Sequence, residues 1–152
     1  MEEFNTLDDI LDFAIQEEIK ASEFYAGLAK KTTNKAMQDA FEQFAKEEIG
    51  HKQKLEAVKS GSNITLTNEQ VQDLKISDYL VDVDRNRDDY SYKEALIIAM
   101  KEEKAAYKLY MGLYDKIEDN DAKQVFLMLA QEEAKHKLRF EIEYDDVFMK
   151  EN

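Results

Sequence analysis

Shifted by 85 residues, the chain matches itself without a gap through two successive segments, so one unit is used twice. Ala14-Ile-Gln-Glu-Glu18 returns as Ala99-Met-Lys-Glu-Glu103. Ala21, Tyr25, Gly27 and Leu28 return as Ala106, Tyr110, Gly112 and Leu113. Further on, Phe41, Ala45, Glu47, Glu48, His51 and Lys52 return as Phe126, Ala130, Glu132, Glu133, His136 and Lys137. A unit that holds register across two segments is a pair of elements.

Both elements of the pair have helical periodicity. The first segment runs from about Leu7 to Lys31, with Ile10, Leu11, Ala14, Ile15, Ala21, Phe24, Tyr25 and Leu28 on its apolar stripe. The second runs from about Lys35 to Ser60 and carries Ala40, Phe41, Phe44, Ala45 and Leu55. The third covers about Tyr92 to Ile117 and the fourth about Ala122 to Met149. Thr6 with Asp9 and Ser91 with Glu94 read as capping boxes that start the first and third. Proline is absent and glycine occurs four times, so nothing interrupts long helices. Thr32-Thr33-Asn34 and Glu118-Asp119-Asn120-Asp121 are polar breaks suited to tight antiparallel turns. Between the pairs, Gly61 to Tyr90 is too long for a turn and holds a short predicted helix opening at Thr67, with Gln70 as its box partner. The expected fold is all-α: a four-helix bundle in one domain, 1–152, with helix pairs at 5–60 and 91–149 and a crossover at 61–90.

Composition narrows the function. The net charge of −13 argues against nucleic acid and against anionic membranes, whose phosphates need a basic surface. Without cysteine there is no disulfide, no thiolate metal site and no cysteine-ligated iron centre. No N-terminal run has the length or apolarity of a signal peptide or membrane span, so a cytoplasmic protein is expected.

The chain's two histidines fall in matched phrases, Glu48-Ile-Gly-His51 and Glu133-Ala-Lys-His136. Positions i and i+3 share a helix face, so each phrase offers a carboxylate and an imidazole to one point. At matched depth on the first and third helices the repeat nominates Glu18 and Glu103. Four carboxylates and two imidazoles would then converge in the bundle centre. Buried without partners, the carboxylates would cost several kcal/mol each or hold protons. Two divalent cations would cancel the four charges. Oxygen and imidazole donors without sulfur suit two iron ions; manganese or zinc is also accommodated. Two of the carboxylates can bridge the metals while each Glu-x-x-His pair serves one ion.

Glu17, Glu47, Glu102 and Glu132 are also repeated and are the alternative inward residues. The stripe decides between them: Glu18 shares a face with Leu11, Ala14, Ala21 and Tyr25, whereas Glu17 points roughly 100° away. Tyr25 and Tyr110, seven residues beyond Glu18 and Glu103, are core aromatics or donors that orient ligand carboxylates, and are the candidate catalytic residues. Gly27 and Gly112 cost about 1 kcal/mol each against alanine, and close helix packing is the expected reason. Met100, Met111 and Met128 read as core filler.

These residues resemble the ferritin-like superfamily and, within it, the erythrin domain of the rubrerythrins. The resemblance covers the whole chain, in the order Glu18, Glu48-x-x-His51, Glu103, Glu133-x-x-His136. It implies a ferritin-like bundle, a di-iron centre on those six residues, and a non-haem oxidoreductase that reacts with hydrogen peroxide or dioxygen. It also implies a homodimer and an external electron-donor protein, since the cysteine-rich rubredoxin domain is missing. A second departure is that rubrerythrins carry an extra glutamate one turn along the third helix, where this chain has Ala105 and Ala106. The six-ligand set is closer to that of bacterioferritin, so a ferroxidase or iron-storage protein is the alternative function. A metal-free helical scaffold is the third reading; it predicts no metal uptake. Asp82, Asp84, Asp88 and Asp89 in the crossover read as a solvated loop or a cation-attracting patch.

Overall fold

The computed structural model describes residues 6–61, Leu74 and residues 90–149. Four long helices make up nearly all of it: α1 (Leu7–Lys31), α2 (Lys35–Gly61), α3 (Tyr92–Lys116) and α4 (Asn120–Tyr144). Each starts where a side chain satisfies its first free N–H groups. Thr6 and Asp9 form the reciprocal box at the head of α1. Asn34 Oδ1 accepts from the Met37 N–H at 3.1 Å, Ser91 Oγ from the Glu94 N–H at 3.1 Å, and Asp119 Oδ2 from the Ala122 N–H at 3.0 Å. The predicted box at Thr67 and Gln70 and the crossover aspartates lie outside the described residues.

The fourth helix differs from expectation at both ends. It begins two residues earlier, at Asn120, because Asp119 caps it. Its α-geometry ends at Tyr144, and Asp145–Met149 form a wider π-helical turn. With neither proline nor glycine to stop it there, the helix loosens instead of breaking. The Asp145 N–H is shared between the carbonyls of Glu141 and Ile142.

Apolar stripes from all four helices meet in two clusters. One contains Ile10, Leu11, Leu55, Leu113, Phe126 and Leu129. The other contains Tyr25, Leu28, Phe41, Leu96, Ala99 and Phe140. On every helix the two clusters are separated by one polar layer: Glu18 on α1, Glu48 and His51 on α2, Glu103 on α3, Glu133 and His136 on α4. Early residues of α1 share a cluster with late residues of α3 and early residues of α4, so α1 runs antiparallel to α3 and parallel to α4. The end of α2 lies with the first cluster and Tyr90 with the second, so the crossover must connect opposite ends of the bundle. Ser22 Oγ donates to the Ala45 carbonyl at 2.8 Å and ties α1 to α2. Lys31 Nζ donates to the Tyr90 carbonyl at 3.0 Å and fastens the first pair to the start of the second.

Gly27 does not serve close packing, contrary to expectation: a Cβ there would meet nothing within 4 Å. Met100, Met111 and Met128 are half-buried at the core margins. Among the described residues, no helix is long and apolar enough to cross a membrane.

Candidate metal centre

The polar layer brings all six nominated residues together, none more than 3% exposed. They form two overlapping groups: Glu18, Glu48, His51 and Glu133, and Glu48, Glu103, Glu133 and His136. Within each group the potential ligand atoms all lie within 4.8 Å of one another. Glu48 and Glu133 belong to both, so they are placed to bridge. Glu18 with His51 and Glu103 with His136 stand at the two ends.

Both imidazoles turn Nδ1 inward. His51 Nδ1 lies 2.7 Å from Glu133 Oε1 and 3.4 Å from Glu18 Oε2; His136 Nδ1 lies 3.0 Å from Glu48 Oε1 and 3.7 Å from Glu103 Oε2. The rings are 6.1 Å apart and inclined by 18°. Each of the six residues turns one buried oxygen or nitrogen into the cluster that finds close neighbours there but no well-aligned hydrogen bond: Glu18 Oε2, Glu48 Oε1, His51 Nδ1, Glu103 Oε2, Glu133 Oε1 and His136 Nδ1. Buried polar atoms are seldom left so, and six facing one another is the pattern cations would satisfy. The donor set therefore fits two divalent ions.

Electrostatics agree. Burial, and then the neighbouring carboxylates, push Glu48 and Glu133 well above the usual carboxylate range. Burial also acts to raise Glu18, but bonds to Glu48, His51 and Tyr110 outweigh it and hold Glu18 low. Burial would depress both histidines; instead Glu133 and Glu18 push His51 up to about 11, and Glu103 and Glu47 raise His136. Without metal, the cluster keeps protons where cations would otherwise sit.

The two tyrosines reach across the bundle. The Tyr25 hydroxyl donates to Glu103 Oε1 and the Tyr110 hydroxyl to Glu18 Oε1, each on the other pair's helix. Both rings are fully buried, and burial followed by the surrounding carboxylates keeps both hydroxyls protonated, well above the usual phenol range. Each pins one carboxylate oxygen and leaves the other directed inward.

The neighbouring glutamates are not simply turned away from the site. His136 Nε2 lies 2.7 Å from Glu47 Oε2, and His51 Nε2 bonds Glu132 Oε2 in the same way. A carboxylate at Nε2 fixes the N–H there and leaves Nδ1 as the lone-pair donor. Glu102 is buried, at 7% exposure, and with Glu17 lines a cavity of about 40 Å³ between α1 and α3. The cavity floor is Glu18, Glu103 and the bridging pair, and Ala105 and Ala106 form part of its wall. It has room for on the order of three waters. Sequence reasoning read these four glutamates as rivals of the ligands; their own 85-residue repetition was the signal that both members of each pair matter.

The fold recurs in a crystal structure from Thermotoga maritima, described provisionally as a ferritin-like diiron-carboxylate protein. It superposes with a TM-score of 0.77 at 24% identity and covers 95% of this chain and 97% of that one. No curated protein sequence matches the chain. The Rubrerythrin family model matches residues 9–149, nearly the whole length. With that match, and with a ferritin-like four-helix bundle around a buried glutamate–histidine cluster, the chain belongs to the rubrerythrin family.

Proposed function

We propose that this protein is a non-haem di-iron carboxylate oxidoreductase that reacts with hydrogen peroxide or dioxygen at a dinuclear centre. The observation that carries this reading is the pair of overlapping ligand groups sharing Glu48 and Glu133, with an inward atom lacking a well-aligned hydrogen bond on every member. Glu18, Glu48, His51, Glu103, Glu133 and His136 would hold the ions, which supply electron transfer to a bound oxidant. The protein's own part is geometric and protonic. Glu47 and Glu132 set the imidazole tautomers, and Tyr25 and Tyr110 orient the terminal carboxylates. The small cavity beside the cluster has room for a diatomic oxidant or peroxide. The residues of this chain include no cysteine, so a peroxide reductase would draw electrons from a redox protein or domain outside them.

One observation favours a second reading, in which Fe(II) is the substrate and the centre a ferroxidase. The turn of α3 at Ala105 and Ala106 carries no carboxylate, which leaves the clustered six-residue set symmetric about the repeat, although Glu17 and Glu102 line the same cavity.

Metal content per chain, measured after expression with iron, tests the centre. We expect about two irons per chain, lost in a Glu48→Gln/Glu133→Gln variant. Stopped-flow oxidation by peroxide and by dioxygen then separates the reductase from the ferroxidase. No metal in the unaltered protein, under iron or manganese supply, overturns both readings in favour of a helical scaffold.

A further inference from the structure

The repeat makes the two ends of the bundle equivalent, yet they part company at one corner of the core. Phe44, Tyr92, Phe140 and Glu143 stand where the matching positions hold Leu129, Leu7, Leu55 and Val58. At one end the corner is wholly apolar and buried. At the other it is a file of rings that ends on a phenol–carboxylate pair.

The file starts at the metal cluster. The ring of Tyr25, whose hydroxyl bonds Glu103, lies 5.1 Å from Phe140. Phe140 stacks on Phe41 at 5.7 Å, and Phe41 meets Tyr92 at 6.2 Å. A second entrance runs from His136, which stacks on Phe44 at 4.1 Å, and Phe44 lies 5.5 Å from Phe140. Beyond Tyr92, Phe148 follows at 6.2 Å and reaches solvent, 37% exposed, with Tyr144 5.4 Å further on. At the other end of the bundle, Tyr110 meets Phe126 at 6.3 Å, and the following matched positions are leucines.

At the end of the file the Tyr92 hydroxyl donates to Glu143 Oε2 at 2.6 Å, and Glu143 is only 7% exposed. A buried carboxylate costs free energy that a valine does not, and Leu7 with Val58 fills the equivalent corner without any polar group. Packing alone does not call for the pair. A phenol gives up an electron readily only when its proton can leave at the same time, and Glu143 is the acceptor within reach. The phenylalanines are much harder to oxidise, so they serve as the medium between Tyr25 and Tyr92.

We propose that Tyr92, with Glu143 as proton acceptor, is a redox-active tyrosine connected to the metal centre through Phe41 and Phe140. The oxidant is hydrogen peroxide, so the proposal rests on the di-iron reading above. Reduction of one peroxide to two waters takes two electrons and two protons. Where the bound ions would supply only one of these electrons, Tyr92 would supply the second. The Tyr92 O–H proton passes to Glu143, leaving a neutral tyrosyl radical. Solvent supplies the two protons for water. A one-electron thiol or protein donor at the Phe148 surface reduces the radical, and Glu143 returns the proton.

Electron paramagnetic resonance of freeze-quenched, iron-loaded protein after peroxide, with ring-deuterated tyrosine for assignment, reads the radical directly. The expected result is a tyrosyl signal that is lost in Tyr92→Phe and in Glu143→Gln at unchanged iron content, and that survives in Tyr107→Phe at the surface. Tyr92→Leu/Glu143→Val installs the residues of the equivalent corner at the other end, guards against misfolding of the single variants, and should also lose the signal. A metal-free arm is independent of the centre: photochemical one-electron oxidation with a ruthenium sensitiser, then spin trapping and peptide mapping. The adduct should concentrate on Tyr92 over the more exposed Tyr107, and Glu143→Gln should remove that preference. A radical undiminished in Tyr92→Phe, no radical at all in iron-loaded protein, or an adduct indifferent to Glu143 overturns the proposal. Failure to take up iron overturns the di-iron reading instead, and the metal-free arm still decides Tyr92.

Discussion

His136 Nε2 sits 2.7 Å from Glu47 Oε2, so the histidine of the second helix pair is held by a glutamate of the first. Glu132 holds His51 in the reverse direction. Each imidazole is thus braced from the opposite pair on one nitrogen and aimed into the cluster on the other. The geometry of the cluster depends on both pairs being docked.

Replacing both braces should weaken metal binding without removing a ligand. Loss of such supporting partners costs about 10–100-fold in metal affinity. Chelator competition on Glu47→Gln/Glu132→Gln should show a loss of that order with about two ions still bound at saturation. Full retention of affinity would mean the braces are incidental surface contacts.

The metal-free cluster sets a pH dependence whose sign can be worked out. His51 is raised from 6.5 to about 11 in the folded state, so its contribution to stability is complete below 6.5 and is lost as pH climbs towards 11. The raised Glu48 and Glu133 act in the same sense, favouring the fold below 4.5 and losing that contribution as pH rises through their elevated values. Glu18, held low, runs the other way and matters only in acid. Melting temperature in chelator should therefore fall from mildly acidic to alkaline pH. Metal uptake should release protons and tighten as pH rises over the same range, which pH-stat titration reads directly.

Tyr25→Phe and Tyr110→Phe each delete one buried hydrogen bond to a carboxylate. Hydrogen bonds of this kind contribute about 1.5–3 kcal/mol. Denaturant unfolding of the metal-free variants should show losses in that range. Equal losses are expected because the two bonds are related by the repeat. A loss confined to one would show that the halves carry different loads.

Gly27→Ala tests the open space beside α1. Nothing lies within 4 Å of the added methyl, and an interior helical glycine costs about 1 kcal/mol against alanine. The variant should melt higher, by roughly 2–4 °C for a chain of this size. A lower melting temperature would restore the close-packing explanation that the geometry removes.

The helices and all six cluster residues were legible because two independent signals coincide in the sequence. The 3.6-residue stripe places Glu18 and Glu103 on the buried face, and the 85-residue repeat requires each to have a counterpart. What sequence did not reveal concerns contacts between pairs. A helical wheel puts Glu47 and Glu132 at the margin of the buried face, yet a glutamate side chain is long enough to reach a histidine on the neighbouring helix. Glu102 is buried for a similar reason, since α1 and α3 leave a cavity that its side chain lines. The end of α4 was obscure too, because its loosening into a π-turn involves neither proline nor glycine.

Because the cluster lies between matched halves, one helix pair holds two of its glutamates and one of its histidines, which is half of the set. Two copies of one pair, facing each other, would complete the inventory with perfect symmetry. The present chain is in that sense a symmetric dimer written as a single polypeptide. Its crossover turns the meeting of two molecules into an intramolecular event that dilution cannot weaken. Freed from mass action and from enforced symmetry, each half could then diverge, as Leu7 and Tyr92 already have.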